Sequence, residues 1–140
     1  MAYFGEYSYT LDSANRLILP SRFREQLGSE ILVYKAQVGC LFVYDNENFN
    51  QIIAPLRAKY RSDEGRDKLR RFYSDVTPVS VDRNGRLVVP EGCVEHASLK
   101  DEVTVLGFDN HIEIWDKKTY QDRIGNKSEL LADDYPEVDF

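Results

Sequence analysis

The sequence lacks the long apolar runs of membrane proteins and contains little cysteine. No stretch approaches the roughly 18 consecutive apolar residues that indicate a membrane-spanning helix. The first residues, MAYFGE, lack the basic start and apolar stretch of a signal peptide, so we expect a cytoplasmic protein with no membrane partner. Two cysteines, Cys40 and Cys93, are too few for a disulfide framework, and we interpret both as small buried hydrophobic residues.

Sequence patterns that carry catalysis are also missing. Neither of the two histidines, His96 and His111, belongs to a set of cysteines and histidines large enough for a metal site. No Gly-x-Ser-x-Gly motif and no P-loop is present. The many aspartates stand mostly at predicted turns and helix caps, where hydrogen bonds to the local backbone explain them. We therefore predict a protein that is not an enzyme, with no cofactor, no metal and no small-molecule substrate.

The composition is that of a folded domain with unevenly distributed charge. With 42% hydrophobic and 12% aromatic residues in 140, the chain can bury a sizeable core. The net charge of −6 argues against non-specific nucleic-acid binding, because phosphate contacts need lysine and arginine. Residues 129–140 contain five acidic and no basic residues, whereas residues 57–71 contain seven basic and three acidic ones. This basic segment is either a solvated helix face or a nucleic-acid-binding surface.

The sequence contains an internal repeat. Residues 10–20 align with residues 80–90 at a constant offset of 70, with Asp, Arg, Leu and Pro recurring at equivalent positions. Residues 41–45 match residues 112–116 at an offset of 71, so one residue is inserted between the two blocks. The chain is therefore built from two related units.

Each unit contains the pattern of a small β-rich structure. Alternating apolar residues predict strands at 7–11, 16–19, 31–34 and 41–44, and again at 79–81, 86–89, 103–106 and 112–115. The first two strands of each unit are joined by a predicted turn that ends at Asn15 or Gly85. Both residue types tolerate the left-handed backbone that such a turn requires.

Prolines and aspartates predict where the helices begin and end. Pro20 and Pro90 end a strand and open short helices at 21–27 and 91–97. Asp45 and Asp116 are predicted N-caps of further helices. In the first of these, Pro55 is predicted to end or kink the helix. Residues 61–65 are predicted to form a break before a helix at 66–73.

The two units are expected to share one core. Each has roughly 45 residues, near the lower size limit for independent folding, so we predict a pseudo-symmetric pair in a single body. We divide the chain into a first unit at 5–47, a helical linker at 48–75, a second unit at 76–119, and a C-terminal helix end and acidic tail at 120–140.

Several of these motifs together resemble the MraZ family over about residues 3–121. They are the doubled Asp-x-x-x-Arg motif, the proline four residues after each arginine, the stretch 39–42 and the sequence at 113–116. The resemblance implies an α+β, mainly β fold of two tandem AbrB/SpoVT-like swapped-hairpin units. It also implies a transcriptional regulator that assembles into rings and binds short DNA repeats upstream of cell-division and cell-wall genes.

The resemblance also implies which residues meet double-stranded DNA. The family's motif residues correspond to Asp12 and Arg16 in the first unit and to Asp82 and Arg86 in the second. A tight turn that presents a guanidinium offers a planar donor fork to phosphate or guanine. Alternatively, each arginine braces its own turn by pairing with the aspartate, and the two roles are compatible. Bracing is the favoured role of each aspartate, because a carboxylate repels phosphate.

The chain departs from the family pattern within both turns. Many relatives have lysine two residues before each arginine, where this chain has Ala14 and Asn84, and Asn15 stands where glycine is usual. Each turn thus loses a phosphate-binding charge, which Arg83 partly replaces in the second. We predict five DNA-contacting residues, Arg16, Arg22, Arg24, Arg83 and Arg86, and four turn or ion-pair residues, Asp12, Asn15, Asp82 and Gly85.

The main alternative function is a ring-forming protein–protein scaffold without direct DNA contact. The net charge of −6 and the missing lysines favour it. The aromatic residues at 42, 44, 115 and 120 lie in apolar strand patterns or close behind them, so we interpret them as core or subunit interface rather than as base-stacking platforms. A further hypothesis is that the acidic tail folds over the basic turns.

Overall fold

Eight strands and five α-helices occur in residues 2–139, the part of the chain that this computed structural model describes. The strands are β1 Glu6–Thr10, β2 Arg16–Ile18, β3 Glu30–Lys35, β4 Leu41–Tyr44, β5 Val76–Ser80, β6 Arg86–Val88, β7 Glu102–Phe108 and β8 His111–Asp116. The helices are α1 Ser21–Leu27, α2 Asn46–Lys59, α3 Asp63–Ser74, α4 Glu91–His96 and α5 Lys117–Ile124. This confirms the predicted α+β, mainly β fold with short helices.

Strand pairing exchanges elements between the two units. Six strands form one sheet in the order β1-β7-β8-β4-β3-β5, and β2 pairs with β6 in a separate two-stranded ribbon. The first strand of each unit pairs with the other unit, because β1 lies against β7 and β5 against β3. The central pair, β4 and β8, lies on the approximate two-fold axis that relates the units. The pseudo-symmetric arrangement predicted from the repeat and the swapped pairing implied by the family resemblance are both confirmed.

The main core lies between the six-stranded sheet and the layer formed by the ribbon, α1 and α4. Leu17 and Leu87 face each other across the ribbon and are buried, as are Phe23 of α1 and Cys93 of α4. Both units contribute equivalent residues to this one cluster. Neither unit buries its apolar surface alone, so the two fold together.

The opposite face of the sheet is covered by α2, α3 and α5. Tyr44 packs there with Phe49 of α2, and Trp115 packs with Tyr120 of α5. The predicted N-caps are also present, since Asp45 accepts a hydrogen bond from Asn48 N at 2.7 Å and Asp116 accepts one from Thr119 N at 3.2 Å. Of the helices described, none has the length and apolarity that crossing a bilayer would need.

The helical segment differs from the prediction at two points. Helix α2 does not end at Pro55 but continues to Lys59; the helical bond that proline cannot donate is lost at an exposed position, where water can replace it. The break before α3 is also shorter than predicted, because α3 begins at Asp63 with Ser62 as its N-cap. Gly65 lies inside the first turn of α3, where a Cβ atom would stand 3.1 Å from Tyr60 Cα. The absence of a side chain at Gly65 therefore permits close packing of the first turn of α3 against Tyr60, and the glycine does not break the helix.

Candidate nucleic-acid interface

The first loop, residues 12–16, is organised around one carboxylate. Asp12 Oδ1 accepts hydrogen bonds from the backbone N–H groups of Ala14 and Arg16, both at 2.9 Å. Asp12 Oδ2 accepts a hydrogen bond from Arg16 Nε at 2.7 Å. Asn15 has a φ of 60° and donates its backbone N–H to Asp12 O at 3.0 Å. The aspartate thus closes the turn and fixes the direction of the arginine.

The second loop, residues 82–86, repeats this construction. Asp82 Oδ1 accepts hydrogen bonds from Asn84 N and Arg86 N, both at 2.9 Å. Asp82 Oδ2 accepts a hydrogen bond from Arg86 Nε at 3.2 Å. Gly85 has a φ of 77° at the position of Asn15. The two loops therefore differ in sequence at three internal positions but hold their arginines in the same way.

Both loop aspartates are held in the ionised form. The hydrogen bond from the Arg16 backbone, followed by that from its side chain, lowers the pKa of Asp12 below its usual range. The hydrogen bond from the Arg86 backbone does the same for the pKa of Asp82. Because hydrogen bonds to the charged form favour that form, both carboxylates remain ionised at neutral pH.

Each loop arginine keeps its outer nitrogens available. The aspartate engages only Nε, and the terminal nitrogens of Arg16 and Arg86 make no hydrogen bond with any residue between positions 2 and 139. The side chains are 57% and 50% exposed. The outer edge of each guanidinium can therefore donate two hydrogen bonds to a phosphate or to a guanine.

The ribbon brings the two loops together. Leu19 N donates to Gly85 O at 2.9 Å, and Val89 N donates to Asn15 O at 2.8 Å, so each loop is tied to the other unit. Arg16 and Arg86, 70 residues apart in sequence, both project from the exposed face of the ribbon, while Leu17 and Leu87 point into the core. The swap thus places two equivalent guanidinium groups on one surface.

Arg24 occupies a different environment. Its side chain lies against the second loop, so that a Cβ atom added at Gly85 would stand 1.9 Å from Arg24 Cδ. Its Nε is buried, with no hydrogen-bond partner among the described residues. Arg24 and Arg83 line a cleft of about 420 Å³ between α1 and the second loop, which Asp82 and Glu25 also line. Arg24 therefore packs against the second loop and also adds a positive charge beside it.

The remaining predicted residue, Arg22, is exposed on α1 and does not line that cleft. The structure therefore separates the five arginines into the ribbon pair Arg16 and Arg86, the cleft pair Arg24 and Arg83, and Arg22 alone. Two further exposed residues on the ribbon, Ile18 and Val88, were not predicted to belong to the site. Their outward position is indicated in the sequence only by the two-residue alternation of the strands, which turns Leu17 and Leu87 toward the core and their neighbours toward solvent.

The acidic tail makes no polar contact with the loops in the described part of the chain. Residues 131–139 are exposed, and within residues 2–139 no hydrogen bond or ion pair joins the acidic side chains from position 129 onward to either loop. Masking of the arginines by the tail is therefore not seen in the described residues.

A buried polar cluster lies on the other face of the sheet. Glu113 Oε1 accepts a hydrogen bond from Trp115 Nε1 at 2.9 Å, and Glu113 Oε2 lies 2.9 Å from His111 Nε2. The polar groups of these side chains are hydrogen-bonded to one another on the sheet face that α2, α3 and α5 cover. Groups of three or more His, Cys, Asp or Glu placed to hold a metal ion do not occur among the described residues.

Comparison with known proteins agrees with the internal repeat. The family model described as "MraZ protein, putative antitoxin-like" matches residues 2–71 and, a second time, residues 72–135. The chain belongs to the MraZ family. The two successive matches correspond to the two tandem MraZ units whose strands are exchanged in the fold.

Curated relatives in the MraZ family span nearly the same length. The protein of Ligilactobacillus salivarius is 35% identical over 141 residues, which cover 99% of this chain and 98% of that protein. That of Clostridium acetobutylicum is 36% identical and that of Acetivibrio thermocellus 33% identical, with at least 84% of each chain covered. All three are named transcriptional regulator MraZ, a name that describes a regulator rather than an enzyme.

Proposed function

We propose that this protein is a sequence-specific transcriptional regulator that binds double-stranded DNA through its two arginine loops. The observation that carries the proposal is the placement of Arg16 and Arg86 on one exposed ribbon face, where their terminal nitrogens make no hydrogen bond to residues 2–139. The names of the MraZ relatives point to the same function. No enzymatic activity forms part of the proposal.

The loop aspartates prepare the arginines for this role. A long, flexible side chain loses conformational entropy when it is fixed by a ligand. Asp12 and Asp82 already hold one nitrogen of each guanidinium, so part of that ordering has taken place before DNA arrives. Asp12 and Asp82 themselves would repel phosphate, and their contribution is positional.

The other arginines extend the positive surface around the ribbon. Arg22 and Arg83 are exposed and suited to phosphate contacts, which set position and orientation on the duplex. Arg24 keeps the second loop in place through its contact with Gly85. The second loop therefore carries more positive charge than the first, in which Ala14 and Asn15 are uncharged.

Two arginine contacts from one chain give limited affinity, so the proposal includes an oligomer. In a homo-oligomeric ring, several loop pairs engage tandem promoter repeats at once, and the effective concentration of the second pair raises the overall affinity. Repeats would be spaced by about 10 base pairs if the loops meet the same side of the duplex. We place this complex in the cytoplasm, associated with the nucleoid, at promoters of cell-division and cell-wall genes.

A ring-forming protein scaffold is the second candidate function. The net charge of −6 and the exposed acidic tail favour it, because they weaken attraction to DNA. In that case the exposed ribbon face would bind a protein surface rather than a duplex.

Fluorescence anisotropy with duplexes carrying tandem repeats at helical-turn spacing, over a salt series, tests the proposal. We expect binding that weakens with salt and that falls about five- to 150-fold for each arginine removed in Arg16→Ala/Arg86→Ala, given the about 1–3 kcal/mol of a bidentate contact. The matched control is Lys118→Ala/Arg123→Ala, which removes the same charge from exposed positions on α5, outside the ribbon and outside the basic segment 57–71. Equal losses in both variants, or no binding at low salt to these repeats and to unrelated promoter DNA, would contradict it.

A further inference from the structure

The outer face of the ribbon has an alternating arrangement of charge and apolar surface. In its antiparallel register, Arg16 lies opposite Val88, and Ile18 lies opposite Arg86. Ile18 and Val88 are 49% and 56% exposed, although their neighbours Leu17 and Leu87 are buried. Each aliphatic residue is therefore paired across the ribbon with an arginine that belongs to the other unit.

This arrangement restricts what can cover the face. An apolar protein surface placed on Ile18 and Val88 would also remove water from the guanidinium groups beside them. Their terminal nitrogens would lose that water without gaining a partner, which is unfavourable. The occupant must offer hydrogen-bond acceptors and apolar groups side by side.

The major groove of DNA offers this combination. Guanine presents two acceptors that pair bidentately with arginine, and thymine presents a 5-methyl group beside its acceptor oxygen. The groove is wide enough to admit a two-stranded β-ribbon, which is the form of β2 and β6. Charge and apolar surface on the ribbon therefore match adjacent base edges.

We infer that Ile18 and Val88 contact thymine methyl groups in the major groove and so help to select the bases beside those contacted by Arg86 and Arg16. The inference rests on the proposed DNA-binding function and assigns it a specificity element. It requires both units, because each pair of an arginine and an aliphatic residue is formed across the ribbon.

The test compares thymine with deoxyuridine, which lacks the 5-methyl group but pairs in the same way. A duplex is first selected from a random pool by the wild-type protein and then synthesised in both forms. Each lost methyl contact should weaken wild-type binding roughly fourfold, the effect expected for a group the size of one methylene. This comparison needs no variant and does not depend on the folding of one.

The variant Ile18→Ala/Val88→Ala should bind both duplexes equally, at about the affinity of wild type for the deoxyuridine form. Ile124→Ala, a similarly exposed aliphatic residue on α5, is the control and should retain the thymine preference of wild type. Measuring wild type and variant on both duplexes separates the loss of the side-chain contact with the methyl group from any effect of that methyl group on DNA shape.

Three results would overturn the inference. If wild type does not distinguish the two duplexes, no methyl group is contacted; if the double variant keeps the full preference, the methyl groups are contacted elsewhere. In both cases DNA binding itself stands. If no duplex is selected, the proposed function fails too. A change in the oligomeric mass of the double variant would then indicate that this face binds a second copy of the chain.

Discussion

The side chain of Arg24 lies directly against the backbone of Gly85, although the two residues belong to different units. A Cβ atom at Gly85 would stand 1.9 Å from Arg24 Cδ and 2.5 Å from its Nε. Gly85 also has a φ of 77°, which disfavours any residue with a side chain. The glycine thus serves both the turn of the second loop and its contact with α1.

Substituting Gly85→Ala should lower the free energy of unfolding by more than the about 1–2 kcal/mol that left-handed strain alone costs. The excess arises because the new methyl group displaces Arg24. In an Arg24→Ala background the same substitution should cost only the strain. Urea unfolding of wild type, both single variants and the double variant measures this difference. An equal cost in both backgrounds would contradict the contact.

Removing one loop carboxylate should loosen that loop alone. In Asp12→Ala, the backbone N–H groups of Ala14 and Arg16 lose their acceptor and should exchange with solvent faster. The equivalent groups of the second loop, held by Asp82, serve as the internal control and should be unchanged. Amide hydrogen exchange by NMR measures both loops in one sample. Faster exchange in both loops would indicate that the variant loosens the ribbon itself.

The loops should stay closed until the pH falls well into the acidic range. The pKa values of Asp12 and Asp82 are lowered from an ordinary value of 3.8, mainly by the backbone hydrogen bonds of Arg16 and Arg86. A lowered pKa means that the stabilising contribution is present above the unfolded-state value and is lost as pH falls through the folded-state value. NMR titration of the loop amides should therefore give midpoints below 3.8. Midpoints at or above that value would mean that the carboxylates are not held in solution.

Phe23 should contribute strongly to the packing that positions α1. Its ring is fully buried and makes edge-to-face contacts with Tyr3 and Tyr7, at centroid distances of 5.7 and 5.4 Å. Phe23→Ala should lower the free energy of unfolding by about 3–5 kcal/mol. Phe4→Ala, at a more exposed position, should change it by no more than about 0.5 kcal/mol. Similar effects in the two variants, measured by urea unfolding, would contradict the described core.

Local signals allowed most of the elements to be predicted from the sequence. The turns ending at Asn15 and Gly85 and the N-caps at Asp45 and Asp116 depend on residues within a few positions of one another. The repeat added the pseudo-symmetry, and the family resemblance added the swapped pairing. Pro55 does not end α2, because its effect depends on exposure: a carbonyl left without its helical hydrogen bond is tolerated where water can reach it.

The candidate site was less accessible to prediction, because it forms only when the units exchange strands. The position of Arg24 over Gly85 joins residues that are distant in sequence, and no local pattern indicates it. The cross-strand pairing of Ile18 with Arg86 likewise depends on the register of the ribbon. The arginines of both loops were predicted as DNA contacts, and that role stays a prediction.

Site-specific disulfide cross-linking to DNA tests most directly whether the loops face the duplex. Ser13→Cys places a thiol in the first loop, and Ser128→Cys places one at an exposed position near the C-terminus, while the native cysteines Cys40 and Cys93 are buried. With a selected duplex that carries a thiol-tethered base, the loop variant should cross-link efficiently, and the control should not. Cross-linking at Ser128 but not at Ser13, or equally at both, would contradict DNA binding through the arginine loops.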